Sequence, residues 1–251
     1  MPEDRLVIAI DGPSGSGKST TARAVARRLG LSYLDTGAMY RAVAVAFLDA
    51  GVSPDDTAAV IEATTSADIE LSLDPDERWV RVNGRDVTAE IREPRTAQNV
   101  SAVSTIPECR ADMVRRQRAL MDSDPRGCVA EGRDITTVVY PDADVRILIT
   151  ASPEVRLLRR RGDVGAKLSE ADLRILLTAS PEARLRRRAG DMAGKITEDQ
   201  LRDQVLRRDR DDSKLVDFQT AADGVQLLDT SDMTLAEVVD AITDLAEESR
   251  P

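Results

Sequence analysis

Hydrophobic positions along this chain switch between two periods. Leu6-Val7-Ile8-Ala9-Ile10 is an unbroken apolar run, the pattern of a strand buried on both faces. Residues 17–29 then place Ala22, Val25, Ala26 and Leu29 on one helical face, with Gly30 as the stop signal. Residues 31–34 read as a second short strand that ends at Asp35-Thr36-Gly37, and a long apolar helix is expected over 38–50. A further helix is expected over 54–63. Strand, loop, helix repeated in this order predicts an α/β fold with a parallel sheet, whose ligands sit at the carboxyl ends of the strands.

The pattern changes at residue 69. Ile69-Glu70-Leu71-Ser72-Leu73 and Trp79-Val80-Arg81-Val82 alternate, and Asn83-Gly84 is a turn before Asp86-Val87. This predicts a small antiparallel β insertion. Trp79 is expected to pack it onto a neighbour, with base stacking as the alternative. Helices follow over 94–104 and 107–121; the second carries Arg110 and Arg118 on similar faces two turns apart. Cys128-Val129-Ala130 is a short buried strand that stops at Glu131-Gly132-Arg133-Asp134. Residues 145–150 read as a core strand, followed by Ser152 as a helix cap with Pro153 at the first helical position.

Residues 143–170 recur as 171–198: Ile147-Leu148-Ile149-Thr150-Ala151-Ser152-Pro153-Glu154 returns as Ile175-Leu176-Leu177-Thr178-Ala179-Ser180-Pro181-Glu182. Two copies make a local tandem duplication, not a solenoid. The first copy is expected to supply the sheet strand, because the preceding loop feeds it directly. A charged helix over 197–212, a strand over 225–229 and a closing helix over 234–246 complete the alternation. Leu235, Val238, Val239 and Ile242 are the expected buried face of that last helix.

Composition narrows the function classes. The net charge of −10 argues against general binding to nucleic-acid backbones, so no nucleic-acid partner is expected. Arginines are nonetheless clustered, at 115–118, 159–161, 186–188 and 207–210; local phosphate sites and solvated, ion-paired helix faces both fit them. With no histidine, Ser-His-Asp hydrolysis and histidine metal sites are excluded. Cys109 and Cys128 have no paired spacing, so neither a disulfide framework nor a zinc site is expected. No N-terminal stretch resembles a signal peptide and no apolar run approaches a membrane span, so a cytoplasmic location is the default expectation. Phosphoryl transfer to an acceptor that is already anionic survives these exclusions, because positioning and charge neutralisation do most of its work.

The candidate chemistry begins directly after the first strand. Gly12-Pro13-Ser14-Gly15-Ser16-Gly17-Lys18-Ser19 fits G-x4-G-K-[ST] between a strand and a helix, the context that a phosphate-binding loop needs. Its backbone N–H groups and the helix dipole favour an anion, Lys18 reaches the outer phosphates, and the Ser19 hydroxyl joins the coordination of Mg²⁺ through the nucleotide. With Thr20 this segment is the expected ATP site. Arg41 lies one turn into the helix after the second strand and is a candidate phosphate ligand. Arg133 and Asp134, beside a glycine at a strand end, suit the reading of a polar ligand edge; a structural ion pair is the alternative.

Several separated motifs together resemble the bacterial cytidylate kinases of the nucleoside monophosphate kinase group. They are Ile10 to Ser19, Leu34-Asp35-Thr36-Gly37-Ala38-Met39-Tyr40-Arg41, Arg115-Arg116-Gln117-Arg118, Glu131-Gly132-Arg133-Asp134 and Thr150-Ala151-Ser152-Pro153-Glu154. The run Thr137-Val138-Val139-Tyr140-Pro141-Asp142-Ala143 and the run Arg207-Arg208-Asp209-Arg210-Asp211-Asp212-Ser213 complete the set. The resemblance covers nearly the whole chain. It implies a three-layer P-loop NTPase α/β fold in a single domain over 1–251. The β insertion would bind the nucleoside monophosphate (about 55–105), and a helical lid would be enlarged by the duplication (about 152–213).

Carried over residue by residue, the resemblance implies that Thr36, Arg41, Arg133 and Arg208 hold the phosphate of CMP. Ser101, Arg110 and Asp134 would read the cytosine edge, and Asp212 would contact the sugar. Lys18, Arg133 and Arg208 are the expected catalytic residues, ATP and Mg²⁺ the cofactors, CMP or dCMP the acceptor, and a monomer the expected state. An Asp acceptor beside Arg and Ser donors complements the amino, ring-nitrogen and carbonyl groups of cytosine. The chain departs from the family at Ser213-Lys214-Leu215-Val216-Asp217-Phe218, where the family's last phosphate-side arginine is missing and Lys214 is the candidate substitute. The duplication leaves two candidate lid sets, Arg156/Arg159/Arg160 and Arg184/Arg187/Arg188. Two other functions share the P-loop: a small-metabolite kinase, for instance acting on shikimate, and an ATP-binding protein without kinase activity.

Overall fold

The computed structural model describes residues 5–152, 155–156 and 220–249. β1 (Leu6–Asp11) is buried along its whole length, as its apolar run requires. It pairs in parallel with β6 (Gly127–Gly132) on one edge and β7 (Val145–Thr150) on the other. β2 (Ser32–Asp35) and β8 (Gln226–Asp229) close the described sheet in the order β2-β6-β1-β7-β8, every pair parallel. The chain therefore winds to one side of β1 early and to the other side late. The reversal puts a crevice at the carboxyl end of β1, where open α/β sheets bind ligands.

Side chains alternate across the sheet and build a core on each face. Val7 and Ala9, with Leu34, Cys128 and Ala130, pack against α2 (Thr36–Asp49) and α6 (Pro107–Met121), where Phe47 and Met113 are fully buried. Leu6, Ile8 and Ile10, with Tyr33, Val129, Ile147 and Ile149, pack against α1 (Lys18–Leu29) and α7 (Leu235–Glu248). Residues 145–150 form β7, so the first copy of the duplication supplies a strand of the sheet. The second copy, the expected helix over 197–212 and the lid lie outside the described residues.

Helix starts moved where a capping side chain overrode hydrophobic periodicity. α2 begins at Thr36 because the Asp35 carboxylate accepts from the Ala38 amide at 2.8 Å. α3 (Thr57–Ser66) begins three residues later than expected because Asp56 accepts from Ala59 N. The helix expected over 94–104 divides into α4 (Pro94–Asn99) and α5 (Ser101–Ser104). Val100 keeps helical dihedrals there, but its carbonyl accepts from both Val103 N and Ser104 N, so the change is one of hydrogen bonding rather than direction. In α7 the buried face is Val238, Val239, Ile242, Thr243 and Ala246. Leu235, expected inside, is 47% exposed at the first helical position, beside the Thr234–Glu237 capping box.

The insertion is a three-stranded antiparallel sheet, β3 (Ile69–Leu71), β4 (Val80–Val82) and β5 (Arg85–Asp86), with both turn residues Asn83 and Gly84 at positive φ. It docks through Val80, Val82, Val87 and Ile91 onto Ala38, Ala42 and Val45 of α2. Trp79 does not perform that packing. It is half-buried, its indole N–H donates to Glu77, and the Arg81 guanidinium lies 5.0 Å from its ring centroid.

Candidate active site

The loop after β1 is shaped by close backbone approach. A Cβ on Gly12 would stand 2.1 Å from the Ile149 carbonyl oxygen of β7, at φ +151°. Gly15 and Gly17 also hold positive φ, and Gly17 is the left-handed cap from which α1 starts. The first turn of α1 contains no acidic side chain, so its positive dipole end is left for an anion. Lys18 Nζ donates to the Pro13 carbonyl at 3.1 Å, across the loop. Ser14 and Ser16 are buried in the loop wall and Thr20 is exposed on the helix. Arg156, one of the candidate lid arginines, donates to the Ser14 carbonyl at 3.4 Å.

The end of β6 supplies the opposite wall. Glu131 is buried beside the helix start, and its Oε1 accepts from Ser19 Oγ at 2.6 Å. Burial first, then the charge of Asp35, raises the Glu131 carboxyl above the ordinary range, against the pull of Lys18 and the Ser19 hydrogen bond. Thr36 Oγ1 donates to the Glu131 carbonyl at 2.7 Å. Gly132 is required by the same approach, because a Cβ there would stand 2.7 Å from Thr36 Oγ1. Arg41 pairs with Asp35 at 3.1 Å, which holds its guanidinium at the junction of β2 and α2.

Two neighbours on one short segment join these halves. Arg133 Nη1 donates to the Gly12 carbonyl at 2.6 Å, against the phosphate loop. Asp134 is 7% exposed and pairs with Arg110 of α6 at 2.5 Å. Arg110 Nη1 also reaches the Ser104 carbonyl at 3.5 Å, which brings the short helix that begins at Ser101 to the same corner. No contact links the Ser101 side chain itself to Arg110 or Asp134; its backbone carbonyl accepts from Thr105. Behind them, the buried Asp11 carboxylate accepts from Ile135 N, Thr136 N and Thr136 Oγ1 at 2.7–2.9 Å. It fixes the five-residue π turn, Ile135–Val139, that follows Asp134. Arg118 holds the far end of that turn through the carbonyls of Val138 and Val139.

The sequence model of the family described as "Cytidylate kinase" matches residues 8–168 and 162–248. The two stretches overlap inside the tandem repeat. A cytidylate kinase from Cutibacterium acnes is 42% identical over 98% of this chain and 97% of its own length. One from Corynebacterium glutamicum is 42% identical over 99% of this chain and 97% of its own. One from Corynebacterium efficiens reaches 56% identity over 64% of this chain and 69% of its own. The chain belongs to the cytidylate kinase family.

Within that family assignment, the described residues bring Gly12 to Thr20, Thr36, Arg41, Arg110, Arg133 and Asp134 to one end of the sheet. Arg208, Asp212, Lys214 and the lid arginines beyond Arg156 lie outside the described residues. Sequence reasoning gave no role to Asp11 or Tyr33, and none to Glu131 beyond its place in a motif. Tyr33 OH approaches Glu131 at 3.4 Å. Position was the available signal: Asp11 and Glu131 are carboxylates at the ends of the two central strands. The arginines at 115 and 116 are structural, pairing with Asp112, and Arg116 also donates to the carbonyls of Ala67 and Thr65. Cys128 is buried and free, its thiol pushed up to about 12 by burial, and Cys109 is also free. No His, Cys, Asp and Glu cluster able to hold a metal occurs among the described residues, and no described helix is long and apolar enough to cross a membrane.

Proposed function

We propose that this cytidylate kinase family member transfers the γ-phosphoryl group of ATP to the 5′-phosphate of CMP or dCMP, giving CDP or dCDP and ADP. One observation carries the reading. The Arg133-Asp134 pair touches the phosphate loop with one side chain and the Arg110 corner with the next. A ligand whose phosphate sits by Arg133 would have its base by Asp134 and Arg110.

The donor site is Gly12 to Thr20, with backbone N–H groups and Lys18 taking the β- and γ-phosphates. Thr36, Arg41, Arg133 and Arg208 would hold the acceptor phosphate, and Asp212 the sugar. A CMP phosphate oxygen attacks the γ-phosphorus, the bond to the β–γ bridging oxygen breaks, and ADP leaves with that electron pair. The nucleophile is already anionic, so no general base is needed. Lys18, Arg133 and Arg208 stabilise charge spread over the transferring group while donor and acceptor are held in line. The Ser19 hydroxyl and the Glu131 carboxylate, 2.6 Å apart, suit Mg²⁺, which takes one or two protein oxygens and keeps several waters. The ion, bound through the nucleotide, supplies further charge neutralisation.

Ser101, Arg110 and Asp134 would read cytosine. Its amino group donates to the Asp134 carboxylate, while Arg110 and Ser101 serve the ring nitrogen and carbonyl. Uracil puts a carbonyl oxygen against Asp134 instead. We place the reaction in the cytoplasm, in a monomer, with the β insertion as the acceptor-binding part and the duplicated segment as the lid. Incubation of the full chain with MgATP and CMP, followed by chromatography of the nucleotides, tests the reading. It is expected to yield CDP and ADP in equal amounts; ATP binding without CDP would leave a non-catalytic binding protein.

A further inference from the structure

A second cleft lies away from the phosphate loop, where the β insertion meets α1. It is a shallow, open cleft, and none of residues 12–20 lines it. Arg23, one turn beyond Ser19 on α1, forms its floor. The residue is only 7% exposed, yet its Nε and Nη1 are buried with no hydrogen-bond partner. Its guanidinium lies 5.2 Å from the Tyr33 ring centroid, which holds the side chain in place. A buried guanidinium with idle donors costs stability unless something accepts from it.

Two carboxylates, Asp35 and Glu77, also line the cleft, but both are hydrogen-bonded to other groups. Asp35 serves Arg41 and the α2 cap, and Glu77 Oε2 accepts from Trp79 and Ser72. Against these two the cleft presents three guanidinium groups, Arg23 with Arg78 and Arg92 from the insertion. Burial, then repulsion from Arg23 and Arg92, holds the Arg78 guanidinium below its usual range. In a chain of net charge −10, guanidinium groups that repel one another around a cleft are an arrangement that an anion would relieve.

We infer that this cleft is a second anion site, in which Arg23, Arg78 and Arg92 hold a phosphate-class oxyanion apart from the nucleotide-binding loop. Bound there, the anion bridges α1 of the core to the insertion and clamps the two together. The ligand is free phosphate or the phosphate group of a small phosphorylated molecule. The inference does not depend on the reaction proposed above.

Trp79, the only tryptophan, lines the cleft and reports its occupancy. The test titrates inorganic phosphate into the full chain while reading Trp79 fluorescence, with the phosphate loop filled by a non-hydrolysable MgATP analogue. A saturable change is expected. Arg23→Gln, Arg78→Gln and Arg92→Gln should each weaken it about tenfold or more, and Lys18→Ala, run the same way, should leave it unchanged. Repeating the titration with AMP names the source: tighter binding than phosphate indicates a nucleotide ligand, equal or weaker binding indicates free phosphate. Arg78 and Arg92 are exposed, so their variants keep the test intact if Arg23→Gln fails to fold. The inference is overturned if no saturable change occurs, if the arginine variants bind as the parent does, or if Lys18→Ala alone abolishes the signal.

Discussion

Lys18 and Arg133 meet the phosphate loop at adjacent carbonyls, those of Pro13 and Gly12. Both donors are therefore held at the loop, and the proposed reaction would use that preorganisation. Lys18→Ala is expected to lower kcat by about 10²–10³ or more with little change in CMP affinity, measured by steady-state kinetics and by CMP binding. Gly12→Ala is expected to destabilise or displace the loop, because its Cβ would overlap the Ile149 carbonyl; the check is the denaturation midpoint together with ATP affinity. Gly12 and Lys18 were legible from a motif set between a strand and a helix, and Arg133 from its place beside a glycine at a strand end. Asp11 was not legible in the same way. Its role rests on hydrogen bonds to Ile135 and Thr136, more than a hundred residues away, and no local pattern announces such a contact.

At the scale of elements, strands and helices were readable from hydrophobic period because both sheet faces are covered, which forces apolar runs on the central strands. Helix starts were less readable. Asp35 and Asp56 cap their helices, and a cap is a contest between side chain and backbone that periodicity does not register. The same logic sets α7, where Thr234 and Glu237 form a reciprocal box. Thr234→Ala is expected to cost about 1 kcal/mol and to lower Tm by a few degrees, read by calorimetry. Trp79 shows the opposite failure. Hydrophobicity pointed to a buried anchor, but the valines of β4 took that place and left the indole beside charged neighbours.

For the whole molecule, the parallel sheet gathers loops separated by more than a hundred residues at one end, and proton linkage follows from what it buries there. Burial, outweighing three hydrogen bonds, pushes the Asp11 carboxyl from 3.8 up to about 6. The folded chain then holds a proton that the unfolded chain has lost between those values. The stability this contributes is fully present below about pH 4 and is lost as pH rises through about 6. Asp11→Asn should flatten that part of the profile relative to the parent, as urea midpoints from pH 4 to 7 will show. Because β7 comes from the first repeat copy, a variant lacking residues 171–198 is expected to retain cooperative unfolding; loss of the cooperative transition would contradict this.

The proposed function stands on Asp134, paired with Arg110, selecting cytosine nucleotides at a P-loop site. The measurement that tests it most directly is kcat/KM for CMP, dCMP, UMP, AMP and shikimate, in the parent and in Asp134→Ala, by coupled ADP release. Turnover with CMP or dCMP is expected well above that with the other acceptors, and the proposed reading predicts a narrower preference in the variant. The preference for CMP over UMP should fall by about 5- to 150-fold there, equivalent to about 1–3 kcal/mol. An absence of CMP-dependent ADP release in the parent, or an unchanged CMP to UMP ratio in the variant, would contradict it.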